Sequence, residues 1–361
     1  MRVISVLILC VLLVAGAASL GAQRERSLQI YSIDVEGGNS VLFVSPTGES
    51  LLFDAGNPGA RDADQIAAAA QEAGVKQIDY LVISHWHADH FGSVPDLAPK
   101  LPVRNFIDHG PPMIETNENS VARYNAYAAV RDKGHYMPVK PGDKIPIKSL
   151  DVQVVTSDGA AIASPLPGGG APNPLCRDFK PIVENAAAAE DGRSTGIVIR
   201  FGQFRAIELG DLTWTKENTL VCPNNLVGTF DIYFTDRHGI AAGSPAFVHA
   251  LKPRVVIFDN GARKGASSEA FLTVKRSTGL EDIWQQHYSV PRPAREAFGE
   301  TGDQGGKDLN APEEFIANLV EEHTAGDPAH NLKITAHEDG SFSVTNQRTG
   351  FSKEYKKRRV P

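Results

Sequence analysis

The chain has 361 residues, 42% of them hydrophobic, and a formal net charge of −7. That length allows one large domain or two small ones, with enough apolar residues for a substantial core. The acidic balance, and the lack of any basic stretch rich in aromatics, argue against dedicated nucleic-acid binding.

The first 22 residues differ from the rest. Arg2 precedes an apolar run over residues 3–15, followed by the small residues Gly16-Ala17-Ala18-Ser19-Leu20-Gly21-Ala22. This is the order of a secretory signal, and the run is short for a membrane span. The expectation is a secreted or periplasmic chain, cleaved near residue 22, with no span in the mature part; an uncleaved anchor is the alternative. Removing this segment takes Cys10 and leaves Cys176 and Cys222. An even count in an oxidising compartment suggests a disulfide between them, and neither has the paired spacing of a cysteine zinc site.

Strands are predicted over residues 28–34, 40–45 and 51–53, the last running into Asp54. An Ala-rich helix is predicted over 64–73, ending at Gly74. An apolar strand over 80–84 leads straight into His85-Trp86-His87-Ala88-Asp89-His90. The second half repeats the plan. A hairpin over 196–201 and 205–209 delivers Gly210-Asp211, and a strand over 232–235 delivers Asp236-Arg237-His238-Gly239. A helix over 245–251 and a strand over 255–258 follow, then Asp259-Asn260-Gly261. Glu217 and His287 are placed in helices, in structural roles. Residues 158–174 and 291–310 read as long loops. Strands over 332–336 and 341–345 flank Asp339-Gly340, a strong hairpin signal. Residues 23–330 are read as one domain, and 331–361 as a hairpin and solvated basic tail packed on it.

Chemistry concentrates in the six residues from His85 to His90. Four of them can ligate a metal, in a chain with 11 histidines. His85 and His87 project to one side of an extended segment, while Asp89 and His90 follow a bend and face a neighbouring position. His with Asp suits zinc or a similar first-row ion. The bland alternative is a solvated, histidine-rich turn. Nothing resembles a Gly-x-Ser-x-Gly nucleophile elbow or a phosphate-cradling glycine loop.

Several motifs carry a resemblance. Leu52-Phe53-Asp54-Ala55-Gly56 and Ser84-His85-Trp86-His87-Ala88-Asp89-His90-Phe91-Gly92 resemble the first two motifs of the metallo-β-lactamase superfamily of hydrolases. The opening Ile33-Asp34-Val35-Glu36-Gly37-Gly38-Asn39-Ser40 resembles soluble relatives of the C-terminal domain of the competence protein ComEC. Leu209-Gly210-Asp211 and Arg237-His238-Gly239 resemble the later Gly-Asp and His-His-Gly segments. The resemblance implies an α/β fold, a four-layer αββα sandwich with metals at one edge of two sheets. It implies two metal ions, zinc first, with His85 and His87 at site one and Asp89, His90 and His238 at site two. Asp211 would bridge them, Asp89 and Asp211 would serve catalysis, and Asp54 would orient a histidine. Two ions about 3.5–4 Å apart would yield a bridging hydroxide near neutral pH.

The chain departs from the family pattern twice. No histidine follows the strand near Val152–Val155, and His109 is the candidate replacement. Arg237 stands where relatives carry the first His of His-His-Gly; it could spoil site two or, with Asn260 and Lys264, contact substrate. The functional expectation is an exported metal-dependent hydrolase acting on a small ester-type substrate, phosphoester favoured. The alternative, suggested by Arg237, is a non-catalytic metal- or ligand-binding protein on a decayed hydrolase scaffold.

Overall fold

The computed structural model describes residues 27–184, 187–320 and 329–358. The expected signal segment and Arg359 lie outside the described residues.

Alternation of side chains places the first strands. Leu28, Ile30, Val41, Phe43, Leu51 and Phe53 join one buried cluster, while their neighbours Tyr31, Leu42, Val44 and Leu52 join another. A strand buried on both faces lies in a sheet covered on both sides. The first sheet has nine strands, in the order Ser352–Tyr355, Phe342–Asn346, Leu332–Ala336, Leu28–Ser32, Val41–Val44, Ser50–Phe53, Ile78–Val82, Val103–Asp108 and His135–Pro138. Its outer face is covered by the helix Ala60–Glu72, through Ala63, Ile66, Ala69 and Ala70, and by Tyr127 of the helix Glu118–Arg131.

The second sheet stacks on the inner face. Its central order is Ile316–Asn318, Asp282–His287, Val255–Phe258, Ile232–Phe234, Phe204–Glu208, Gly196–Phe201 and Asp151–Ser157. Val154, Ile197, Ile199 and Ile207 share a cluster with Phe43 and Phe53 across the gap. Phe247 and Leu251 of the helix Pro245–Leu251, and Phe271 and Val274 of the helix Ser268–Lys275, close the far side. Each such large apolar side chain contributes about 1.5–3 kcal/mol on burial. The result is the expected αββα sandwich.

Topology then places the polar loops. Strands 204–208, 232–234, 255–258, 282–287 and 316–318 run parallel, as do 50–53, 78–82, 103–108 and 135–138. Asp54, the segment from Ser84 to His90, His109, Asp211, His238 and Asp259 all follow the C-terminal ends of such strands. That is the edge where open α/β sheets place their sites.

Two expectations change. His287 ends a strand rather than lying in a helix, because Gln285, Gln286 and His287 are buried with hydrogen-bond partners and their polarity hides the strand. The C-terminal hairpin gains a third strand, Ser352–Tyr355, and extends the first sheet by pairing with Leu28–Ser32. The basic run is exposed at Lys356, Lys357 and Arg358 but is tied to the domain: the Lys356 carbonyl accepts from Arg254 Nη2 at 2.6 Å, and Arg358 Nε lies 3.2 Å from Asp231 Oδ1. Buried Arg254 and Asp231 need such partners. Cys176 and Cys222 are joined, tying the turn Pro174–Asp178 to the end of the helix Trp214–Val221. Among the described residues, no helix is long and apolar enough to cross a membrane.

Candidate metal centre

The segment after Val82 turns at His87, whose extended backbone starts the short helix Ala88–Phe91. His85 and His87 are therefore left on one side of the turn, and Asp89 and His90 on the other. His85 Nε2 lies 2.9 Å from His87 Nδ1. Asp191 completes this group: its Oδ1 is 2.7 Å from His87 Nδ1 and 3.4 Å from His85 Nε2. Asp211 belongs to the same cluster.

A second group forms beside it. His90 Nε2 lies 3.2 Å from Asp211 Oδ1 and 3.7 Å from Asp89 Oδ2, and His238 Nε2 is 3.4 Å from each of these oxygens. Donors about 2.0–2.2 Å from a tetrahedral ion sit about 3.3–3.6 Å from one another, so this spacing fits one ion. His90 Nε2, His238 Nε2, Asp191 Oδ1 and Asp211 Oδ1 are all buried without a hydrogen-bond partner. Four convergent orphaned donors would be costly in a protein with nothing to bind them. The donor set fits two divalent ions with Asp211 shared between them.

The outer nitrogens are held as ligating histidines require. His90 Nδ1 is 2.7 Å from Asp54 Oδ2, and His238 Nδ1 is 2.9 Å from Asp259 Oδ2. His85 Nδ1 meets the Ser84 hydroxyl at 3.0 Å. His87 is the exception: its Nε2 lies 3.3 Å from Glu115 but makes no hydrogen bond. Asp54 also accepts from the Ser84 amide at 2.7 Å, the Ser84 hydroxyl at 2.8 Å and Asn39 at 3.1 Å.

Electrostatics follows the geometry. Burial opposes ionisation of Asp211, but the charges of His90 and His238 outweigh it and hold the carboxyl well below its usual range. Burial and the Lys264 charge work against a protonated His238, yet Asp211 and Asp259 push it up to about 9. His90 rises well above its usual value for a similar reason: Asp211, Asp89 and Asp54 overcome burial. His85 moves the other way, pulled down by burial and then by His90.

The structure thus brings His85, His87, Asp89, His90, Asp211 and His238 together, with Asp54 behind His90. It does not bring His109 to the cluster. His109 Nε2 is 3.1 Å from Glu190 Oε1, a carboxylate that also accepts the Trp86 amide, and its ring packs on Trp86. Trp86 is buried and wedges the loop. Asn260 is fully buried and donates to the carbonyls of His287 and Gly261, so it does not face substrate. Arg237 is also buried, with Nη2 2.6 Å from Asp191 Oδ2. Lys264 alone of the three substrate candidates stays partly exposed, its ammonium on Asp89 Oδ2. Glu217 accepts the amides of Gly243 and Ser244, a structural role. Sequence reasoning missed Asp191, Asp259 and Glu115. Asp259 could have been found, because it ends a strand beside an expected ligand. Asp191 follows the run Ala186-Ala187-Ala188-Ala189-Glu190, which carries no motif.

The model of the metallo-beta-lactamase superfamily matches residues 33–168, which hold the Asp54 and His85–His90 motifs. Among solved structures, the chain is similar to the metallo-beta-lactamase fold protein YhfI from Bacillus subtilis, at 10% identity and TM-score 0.39, covering 64% of this chain and 85% of that one. Tm1679, a metal-dependent hydrolase of the beta-lactamase superfamily, matches at 15% identity and TM-score 0.39, covering 72% and 95%. CmlA, a diiron beta-hydroxylase from Streptomyces venezuelae, matches at 17% identity and TM-score 0.36, covering 64% and 44%. The chain spans about half the length of the CmlA structures it matches. No curated protein matches. The likeness to ComEC-type proteins rests on the sequence motifs.

Proposed function

We propose that this chain is an exported dinuclear metallo-hydrolase that cleaves a small ester-type substrate, with a phosphoester as the favoured class. The convergence of His90, His238, Asp89 and Asp211 at tetrahedral spacing, with orphaned donor atoms, carries the reading. Two first-row divalent ions, zinc first among them, would supply Lewis acidity and a water acidified to near neutrality. His85, His87, Asp191 and Asp211 would hold one ion; Asp89, His90, Asp211 and His238 would hold the other. The chain's own part is positioning. Asp54 and Asp259 fix the tautomers of His90 and His238 so that each Nε2 offers a lone pair. Asp89 can orient a water or take its proton, and Lys264, beside it at the partly exposed rim, can receive an anionic group of the substrate. Export is supported by the N-terminal sequence pattern and by the Cys176–Cys222 disulfide, which suits an oxidising compartment. Arg237, the residue that favours a decayed scaffold, is committed to Asp191 instead of standing in for a lost ligand.

The test is metal content per chain of the purified mature protein, together with hydrolysis of a chromogenic bis-phosphodiester. Two metals and chelator-sensitive turnover are expected. Two metals with no turnover across a panel of phosphate, carboxylate and thiol esters would refute the hydrolase. A chain without metal would refute the centre itself.

A further inference from the structure

The two departures from the superfamily pattern, the missing histidine after the strand Asp151–Ser157 and the arginine before His238, meet in space. Asp191 turns Oδ1 toward His85 and His87, while its Oδ2 receives Arg237 Nη2 at 2.6 Å. Only 2% of the Asp191 side chain and 8% of the Arg237 side chain is exposed. We infer that Asp191 and Arg237 form one charge-compensated replacement for two histidines: Asp191 Oδ1 is the third protein ligand of the first metal position, and Arg237 is a positioning residue holding Oδ2. The inference rests on the dinuclear reading and specifies how its first position is completed.

Charge supplies the first argument. A buried guanidinium beside two cation positions is repelled unless a carboxylate compensates it. Exchanging two neutral imidazoles for one carboxylate and one guanidinium leaves the net charge of the centre unchanged, whereas either exchange alone shifts it by one unit. Geometry supplies the second. Arg237 occupies one oxygen of Asp191, so the other, which is buried and has no hydrogen-bond partner, is left for a metal. A planar guanidinium fixes the carboxylate plane in a way that a lysine would not. The backbone supplies the third. Arg237 and His238 both adopt left-handed conformations, at φ 48° and 55°, unusual for consecutive residues other than glycine. That turn sends Arg237 to Asp191 and His238 to Asp89 and Asp211, so adjacent residues serve opposite halves of the centre.

The experiment compares six proteins in metals bound per chain at fixed, buffered free zinc, and in melting temperature in chelator. They are wild type, D191N, R237Q, D191N/R237Q, D191H and D191H/R237H. Wild type is expected to hold two metals. D191N/R237Q, near-isosteric and uncharged, should stay folded in chelator and fall to one. D191H leaves Arg237 without a counter-charge beside a cation and should also fall to one, with a lowered melting temperature. D191H/R237H should regain the second metal with at least tenfold tighter binding than D191H. In chelator, D191N and R237Q singly should each melt lower than the double variant, since each strands a buried charge or its partner. Two metals on D191N/R237Q, or equal second-site binding by D191H and D191H/R237H, would overturn the inference and leave the dinuclear reading standing. A wild-type chain without metal would remove both.

Discussion

The Asp54→Asn substitution tests the centre from behind. Asp54 Oδ2 takes three contacts, His90 Nδ1 at 2.7 Å, the Ser84 hydroxyl at 2.8 Å and Asn39 Nδ2 at 3.1 Å, while Oδ1 takes the Ser84 amide at 2.7 Å. Its backbone is left-handed at φ 58°, a conformation that asparagine tolerates nearly as well as aspartate. The fold should therefore survive. The histidine should not be held as before. With an amide nitrogen in place of Oδ2, two donors face an N–H group, and His90 Nδ1 is offered a proton where it now gives one. The imidazole then tends to the tautomer that carries its proton on Nε2, the nitrogen facing Asp211 and Asp89. Loss of a charge-assisted hydrogen bond of this kind costs about 1.5–3 kcal/mol. For supports of ligating histidines, the corresponding loss in metal affinity is about 10–100-fold. Competition against a chromophoric chelator would read the two metal affinities separately. The expected result is one affinity weakened by that factor, with melting in chelator lowered only modestly. Both affinities within about twofold of wild type would refute the role given to Asp54 and weaken the case for His90 as a ligand.

Other consequences can be checked on the same protein. In chelator, the raised value of His238, about 9 against 6.5, gives a stability contribution present in full below pH 6.5 and lost as pH rises through 9, so the melting temperature should fall over that window. The slope should flatten in His238→Asn, with the raised His90 still contributing to it. Asp34, held down at about 2 where His287 and Arg61 outweigh its burial, stabilises above pH 3.8 and ceases to as pH falls toward 2; its charge contributes about 2 kcal/mol, readable by acid titration of wild type against Asp34→Asn. His109→Ala should lower the melting temperature, because it strips Glu190 and Trp86 of a partner, while the metal count stays at two. Replacing Cys176 and Cys222 by serine opens a link spanning 46 residues and should cost about 4 kcal/mol in chemical denaturation.

Much of the centre was legible because its signal is local. The cluster from His85 to His90 follows a buried strand, and four ligand-type residues within six positions point to a metal on their own. Asp211 and His238 were legible as strand-end polar residues with a motif around them. Asp191 was not, since its role depends on a chain segment that reaches the site from the short helix Ala188–Asp191 rather than from a strand end. His109 misleads for the converse reason. It does follow a strand, Val103–Asp108, but its ring turns to Glu190 and Trp86, and orientation is set by packing that spacing cannot report. The helix Glu118–Arg131 escapes a reading of periodicity because only Ser120 and Tyr127 are buried on it, too few for a pattern. The strand Asp282–His287 escapes because glutamines and a histidine fill buried positions where apolar residues are the norm.

The arrangement of charge bears on substrate class. Three carboxylates face the centre, and the chain already neutralises two of them: Arg237 sits on Asp191 and Lys264 on Asp89. Asp211, between the two groups, faces the imidazoles of His90 and His238 instead of a lysine or an arginine. Two divalent ions added to such a centre leave it strongly positive, more so than a centre in which the carboxylates were unpaired. A neutral lactam or carboxylic ester would leave that charge uncompensated, whereas a phosphoester brings its own negative charge to the place where it accumulates. Lys264 lies at a partly exposed point of this network, so it is the cation that an anionic substrate meets first. Lys264→Ala should therefore raise KM for a phosphodiester by about tenfold at low salt, and by less as ionic strength rises. The KM of a neutral ester should barely move. Equal effects on both substrates would mean that Lys264 serves the fold or the Asp89 carboxylate alone, and the charge argument for phosphoesters would fail with it.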